Sequence, residues 1–163
     1  MLHAVQVYYI VHGFYAMVVK TASNKNMMSS YKADNLCDAD LLLQYCKNIN
    51  DWPGSWEIDE IDIEIGQAIV EQFKPFLISK IKKGRAKKTI RTNAGYLWAL
   101  GGELIAQLNE DENERRLSAR ELILNYINES GGPYWRHAND DDDHDRYHGV
   151  CKQLFKFMIA NSD

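Results

Sequence analysis

Two long apolar stripes at helical spacing, divided by a single Lys83-Gly84-Arg85 step, constrain this chain more than any other feature. In the first, Ile61, Ile65, Ile69, Phe73, Phe76 or Leu77, and Ile81 recur three or four residues apart. In the second, Ile90, Ala94, Leu97, Gly101, Leu104, Ile105 and Leu108 do the same. Each set covers one face of an α-helix, so the pair must be buried against each other or against further helices. Gly84 suits a left-handed C-terminal cap, and Lys80, Lys82 and Lys83 suit the negative end of the first helix. The chain has 163 residues, 45% of them hydrophobic and 26% charged, enough for one domain with a real core.

The remaining elements follow from start and stop signals. Asp38 is placed to cap a short helix over 39–47, and Pro53-Gly54 in NDWPGSW (50–56) reads as a turn with Trp52 and Trp56 packed at the core edge. The first long helix is expected over 58–83, kinked or broken near Lys74 by Pro75, which lacks an N–H. The second is expected over 87–108. Gly95, Gly101 and Gly102 cost stability inside it, and close approach of another helix at 101–102 is the expected reason. NEDENERR (109–116) reads as a polar linker, and Ser118-Ala-Arg-Glu121 is a capping box opening a helix over 119–128. Gly131-Gly132-Pro133 stops that helix. A last helix, capped by Asp142 or Asp143, runs to Ala160 with Tyr147, Val150, Cys151, Leu154, Phe155 and Met158 inward. The fold class is therefore mostly α, an antiparallel bundle of four or five helices over 31–163. Residues 1–30 form an extension, either a short β-hairpin around His12-Gly13 or a segment outside the native domain. The apolar run 4–19 is too short to span a bilayer, and no membrane partner is expected. Three scattered cysteines without CxxC spacing fit a reducing cytoplasm.

Charge is distributed unevenly. No Asp or Glu lies between Glu71 and Glu103, and that window carries eight of the chain's 19 Lys and Arg residues. The other eleven cations are set against 23 carboxylates, and the overall charge is −4. Such a balance excludes indiscriminate coating of DNA and leaves one local anion-binding candidate. Lys82, Lys83, Arg85, Lys87, Lys88, Thr89 and Arg91 are its residues. Cations at the end of the first helix help that helix. Arg85, Lys87, Lys88 and Arg91 stand at the start of the second, where positive charge opposes the dipole. A solvated helix boundary is the competing account of the same residues.

The segment FKPFLISKIKKGRAKKTIRTNAGYLWALGGELI (73–105) resembles the N-terminal core-binding domain of tyrosine recombinases and phage integrases. The matching pieces are Phe76-Leu77, Lys82-Lys83-Gly84, Lys88-Thr89-Ile90-Arg91 and Leu97. The resemblance implies a small helical module that clamps double-stranded DNA through its backbone, in a mobile-element setting, with the seven basic-turn residues as contacts. It does not imply strand cleavage. The chain is too short for a second, catalytic domain, and His144-Asp145-Arg146 does not supply a His-x-x-Arg motif.

Two other function classes remain. A protein-interaction module would dock an acidic partner on the basic turn, with Trp52, Trp56, Tyr134 and Trp135 as anchors. A metal-binding domain would use His144 and His148, at i and i+4 on one helix face, with Cys151 and a carboxylate, to hold Zn²⁺ or a similar ion. Helix capping by the aspartates and a core role for Cys151 explain those residues without a metal, and no cofactor is otherwise expected. There is no GxSxG, P-loop, GxGxxG or calcium-loop motif, so a non-catalytic module is expected.

Overall fold

The computed structural model describes residues 37–162, and the expected N-terminal extension or hairpin lies outside the described residues. Those residues form six α-helices and two 3₁₀ turns, with no strand among them. Helix α1 is Asp38–Leu43, α2 is Trp52–Trp56, α3 is Asp62–Lys82, α4 is Lys87–Glu110, α5 is Ala119–Tyr126 and α6 is Asp141–Ala160. The mostly α bundle is what the apolar stripes require. Ile69, Val70, Phe73, Phe76, Leu77 and Ile81 of α3 are buried, and so is the whole expected stripe of α4.

Helices α3 and α4 are the central antiparallel pair. Asn109 at the end of α4 donates to Asp62 at the start of α3, so they run side by side over their full length. Their turn is closed as the glycine signal demands. Gly84 has φ +70°, the Gly84 N–H donates to Ile81 O at 2.9 Å, and the Arg85 N–H donates to Lys80 O at 3.1 Å. These two bonds satisfy carbonyls left open at the helix end, and a side chain at Gly84 would strain the left-handed backbone. The capping box also forms: Ser118 Oγ accepts from the Glu121 N–H while the Glu121 carboxylate accepts from the Ser118 N–H. Arg120 on α5 reaches across to donate to Met158 O, close to the end of α6.

Several local expectations are corrected. Pro75 does not break α3, which is continuous through it. Its ring is exposed, so the carbonyl it leaves unbonded one turn back faces water. Pro53-Gly54 is not a turn: Pro53 sits in the first turn of α2, where a missing N–H costs nothing. The cap of α1 is Cys37 in place of Asp38, and the cap of α6 is Asp140, whose side chain accepts from the Asp143 N–H at 2.7 Å.

The glycines of α4 have a different cause from the expected helix approach. The indole of Trp56 lies across Gly101 and Gly102, and a Cβ at Gly101 would overlap its six-membered ring. Trp56 is thereby buried, with its ring centroid 6.0 Å from that of Trp52. Gly95, by contrast, is exposed, and a Cβ there meets nothing within 4 Å.

Asp62, one of five acidic residues between 57 and 64, is only 1% exposed. It accepts the N–H groups of Ile58 and Asp59 at 3.1 and 2.9 Å, and Arg115 lies 2.8 Å away. Burial alone would raise its pKa, but these bonds, with that from Asn109, hold the carboxyl below its ordinary value. The stretch read as a polar linker is the 3₁₀ turn Glu112–Arg116, and it delivers Arg115 to this carboxylate.

The two α4 glycines separate packing from propensity. Gly101→Ala is expected to destabilise by about 1–3 kcal/mol through overpacking, whereas Gly95→Ala is expected to stabilise by up to about 1 kcal/mol through helix propensity. Urea unfolding of the two variants checks both signs.

Candidate functional site

The basic turn is built from the end of α3 and the start of α4. Residues 82–89 are all exposed. Lys82 is 2.8 Å from Asp38 of α1, the one acidic partner the turn has among the described residues. The Lys87 ammonium stands 5.4 Å from the ring centre of Tyr45, and the Arg91 Nε donates to Tyr45 O at 3.3 Å. Lys83, Arg85 and Lys88 pair with no described carboxylate. The crowding of like charge is felt nearby. Lys80 is held below its ordinary pKa by burial first, then by Arg85 and Lys83.

The backbone adds to that field. The N-cap of α4 is Ala86, which has no side chain able to accept from the first turn. Ser, Thr, Asp or Asn would normally fill that position. The N–H groups of Lys87, Lys88 and Thr89 therefore open outward at the positive end of a 24-residue helix, with cations around them. There is also no acidic residue in that first turn. The structure brings Lys83, Arg85, Lys87, Lys88 and Thr89 to one exposed end of the hairpin, while Lys82 and Arg91 are tied back to α1 and its following loop.

Two open pockets follow α4 away from this end, one on each side of Trp98. The first, about 460 Å³, is lined by Tyr45, Lys47, Trp52, Arg91, Gly95 and Trp98 among others. The second, about 450 Å³, includes Trp56, Trp98, Glu103, Trp135 and Arg136. Trp98 is 43% exposed and is fixed by its Nε1 donating to Ser55 Oγ at 2.8 Å. Of the four aromatic anchors expected for a partner, Trp52 and Trp56 are in the core, Trp135 is half-buried, and Tyr134 is exposed. Trp98 was not among the expected anchors, and the signal that could have found it is the register it shares with Arg91 and Gly95, both exposed.

The His144–His148 pair is real, but Cys151 does not join it. The two imidazole centres are 4.4 Å apart. His148 Nδ1 accepts the Gly132 N–H at 3.0 Å, and His144 Nε2 accepts the Trp135 N–H at 3.3 Å. Each ring thus spends one nitrogen on holding the 131–135 loop against α6. Gly131, at φ +139°, and Gly132 permit this, since a Cβ at either would overlap His148 or Cys151. Cys151 is 1% exposed, and burial pushes its thiol up to about 12, so it stays protonated. Among the described residues no three His, Cys, Asp or Glu side chains are grouped to hold a metal ion. None of the described helices is long and apolar enough to cross a membrane.

Comparison with protein-family models, with curated proteins and with solved structures finds no match to this chain.

His148 is held below its ordinary pKa by burial, then by His144 and Lys152, against a weaker opposing pull from Asp145. The folded state therefore binds this proton less readily than the unfolded chain, whose histidine titrates near 6.5. The stability it contributes is present above that value and is lost as pH falls below it towards the folded pKa. Protonation would also cost Nδ1 its role as acceptor for Gly132. Thermal unfolding is expected to show a falling Tm from pH 7 to 5 in the wild type, and a smaller fall in His148→Gln.

Proposed function

We propose that this chain is a non-catalytic helical module that holds phosphates of double-stranded DNA at the α3–α4 turn. One observation carries the reading: the start of α4 has no side-chain cap and is ringed by Lys83, Arg85, Lys87 and Lys88. Positive side chains beside a positive helix end disfavour the folded state when nothing anionic is present. A phosphate oxygen accepts the open N–H groups and neutralises the cations at once. The remainder of the chain is acidic, which keeps the rest of the surface away from DNA and confines contact to this end. The resemblance of 73–105 to integrase core-binding modules supports the same ligand and a mobile-element setting. Contacts of this kind supply affinity and orientation without reading base edges.

A second reading has its own observation. The pocket lined by Tyr45, Trp52, Arg91, Gly95 and Trp98 runs directly from the basic end, and its walls are aromatic. An acidic protein segment with one apolar side chain would fit there, its carboxylates on the turn and its apolar group beside Trp98.

Fluorescence anisotropy with a labelled duplex tests the first reading. Four released counterions give a loss of affinity of about a hundredfold between 50 and 200 mM salt, and that steep loss is the expected result. Lys83→Glu, Arg85→Glu and Lys88→Glu combined are expected to abolish binding without unfolding the chain, because none of the three is paired. Absence of binding at low salt would sink the DNA reading. Gly95→Leu separates the two ligands. It fills open space in the pocket, so it is expected to block an acidic peptide and leave DNA binding unchanged.

A further inference from the structure

The pocket beyond Trp98 has a chemistry that the phosphate reading does not use. Three of the chain's four tryptophans, Trp56, Trp98 and Trp135, line it. Set among them is Glu103, a carboxylate only 5% exposed. It lies on α4 and is the first acidic residue after the basic window, so the field reverses sign within the length of one helix.

Glu103 is held loosely. Among the described residues its charged partner is Arg136, at 3.4 Å through Nε, and the same guanidinium reaches Glu110 at 3.5 Å. Both distances exceed those of a good charge-assisted hydrogen bond, and the Arg136 side chain is half exposed. A buried carboxylate normally recruits short donors, as Asp62 does with Ile58, Asp59 and Arg115 in this same molecule. A donor is also left over: the buried Nε1 of Trp56 has no partner. The Nε1 atom is 3.7 Å from the Cβ position of Gly102, itself a lining residue.

We propose that this pocket binds a methylated ammonium group. A quaternary ammonium has no N–H to satisfy, so it needs a negative charge and aromatic surface, not a set of short acceptors. Glu103 supplies the charge, and the exposed Trp98 and half-buried Trp135 supply the surface, with the core indole of Trp56 behind them. Arg136 marks where a cation is drawn, because the chain's own guanidinium, the most weakly hydrated cation among its side chains, rests loosely over the same carboxylate. An entering ammonium takes the inner position and releases Arg136 to Glu110. Two sources share this chemistry: a free small molecule such as choline, and the trimethylated side chain of a lysine.

Titration of the full chain with choline chloride, and separately with a peptide containing Nε-trimethyllysine, is followed by tryptophan fluorescence against sodium chloride as the control. A saturable change with either ligand is expected. Tighter binding of choline identifies the free small molecule, and tighter binding of the peptide identifies the modified lysine. Glu103→Gln preserves shape and removes charge, and is expected to weaken binding by about tenfold or more. Arg136→Ala is expected to tighten binding several-fold by removing the internal competitor, a change in the opposite direction from damage to the fold. All tryptophans are retained in both variants. No saturable change with either probe at ~10 mM would overturn the proposal. So would an equal response in wild type and Glu103→Gln, or weaker binding in a folded Arg136→Ala.

Discussion

The carboxylate of Asp62 is the point on which the architecture turns. It sits at the start of α3 and gathers the backbone before it, through Ile58 and Asp59, with Asn109 from the end of α4 and Arg115 from the 3₁₀ turn beyond. A buried charge is costly unless donors surround it, and here the donors come from three separate parts of the chain. The bond to Asn109 fixes how far α4 runs beside α3. The ion pair to Arg115 folds the chain back after α4 so that Ser118 can begin α5. At the opposite end of the hairpin no comparable network is found among the described residues. One end is closed by buried electrostatics, and the other is left open with exposed cations.

This asymmetry explains which parts were legible in the sequence. The stripes of α4 and α6, and of α3 from Ile69 onward, were readable because burial of an amphipathic face depends on spacing, but Ile61, also expected inward, precedes α3 and is exposed. The Gly84 turn and the Ser118 capping box were readable because both are local chemistry. Asp62 was not. Among Glu57, Asp59, Glu60, Asp62 and Glu64, nothing local distinguishes the one carboxylate that meets Arg115, more than fifty positions later in the chain. Pro75 and Pro53 misled for a related reason. Their cost depends on whether the missing donor faces solvent or falls in a first turn, which spacing does not reveal.

The tryptophans show the same limit at the candidate sites. Trp56 was expected at the edge, yet its indole lies across Gly101 and Gly102, so the glycines that signalled close approach had an aromatic ring as their partner. With Trp56 seated there, Trp98 stands exposed on the neighbouring face, tied to Ser55, and lines both pockets. The basic turn was visible as composition, and its exposure fits a solvated helix boundary as well as an anion site. The absence of a capping side chain at Ala86 was equally visible but becomes informative only once the helix start is fixed. The histidine pair was visible as spacing, but the structure directs one nitrogen of each ring to backbone N–H groups of the 131–135 loop.

Helix α4 carries these features as a graded element. Its first turn lacks both a cap and an acidic residue, so its positive end is reinforced by side chains instead of being neutralised. Its middle is held by the Trp56 indole on two glycines, a contact that at Gly101 admits no larger residue. Its last turns carry the carboxylates, Glu103 under an indole-lined pocket and Glu110 at the rim, with Arg136 shared between them. Stability is therefore concentrated in the middle and at the Asp62 end. The electrostatically unrelieved groups lie at the first turn and at Glu103. A helix optimised for stability alone would reverse that arrangement, with acid at its start and base at its end. The cost of each arrangement is local, and the buried middle of α4 carries it between the two ends.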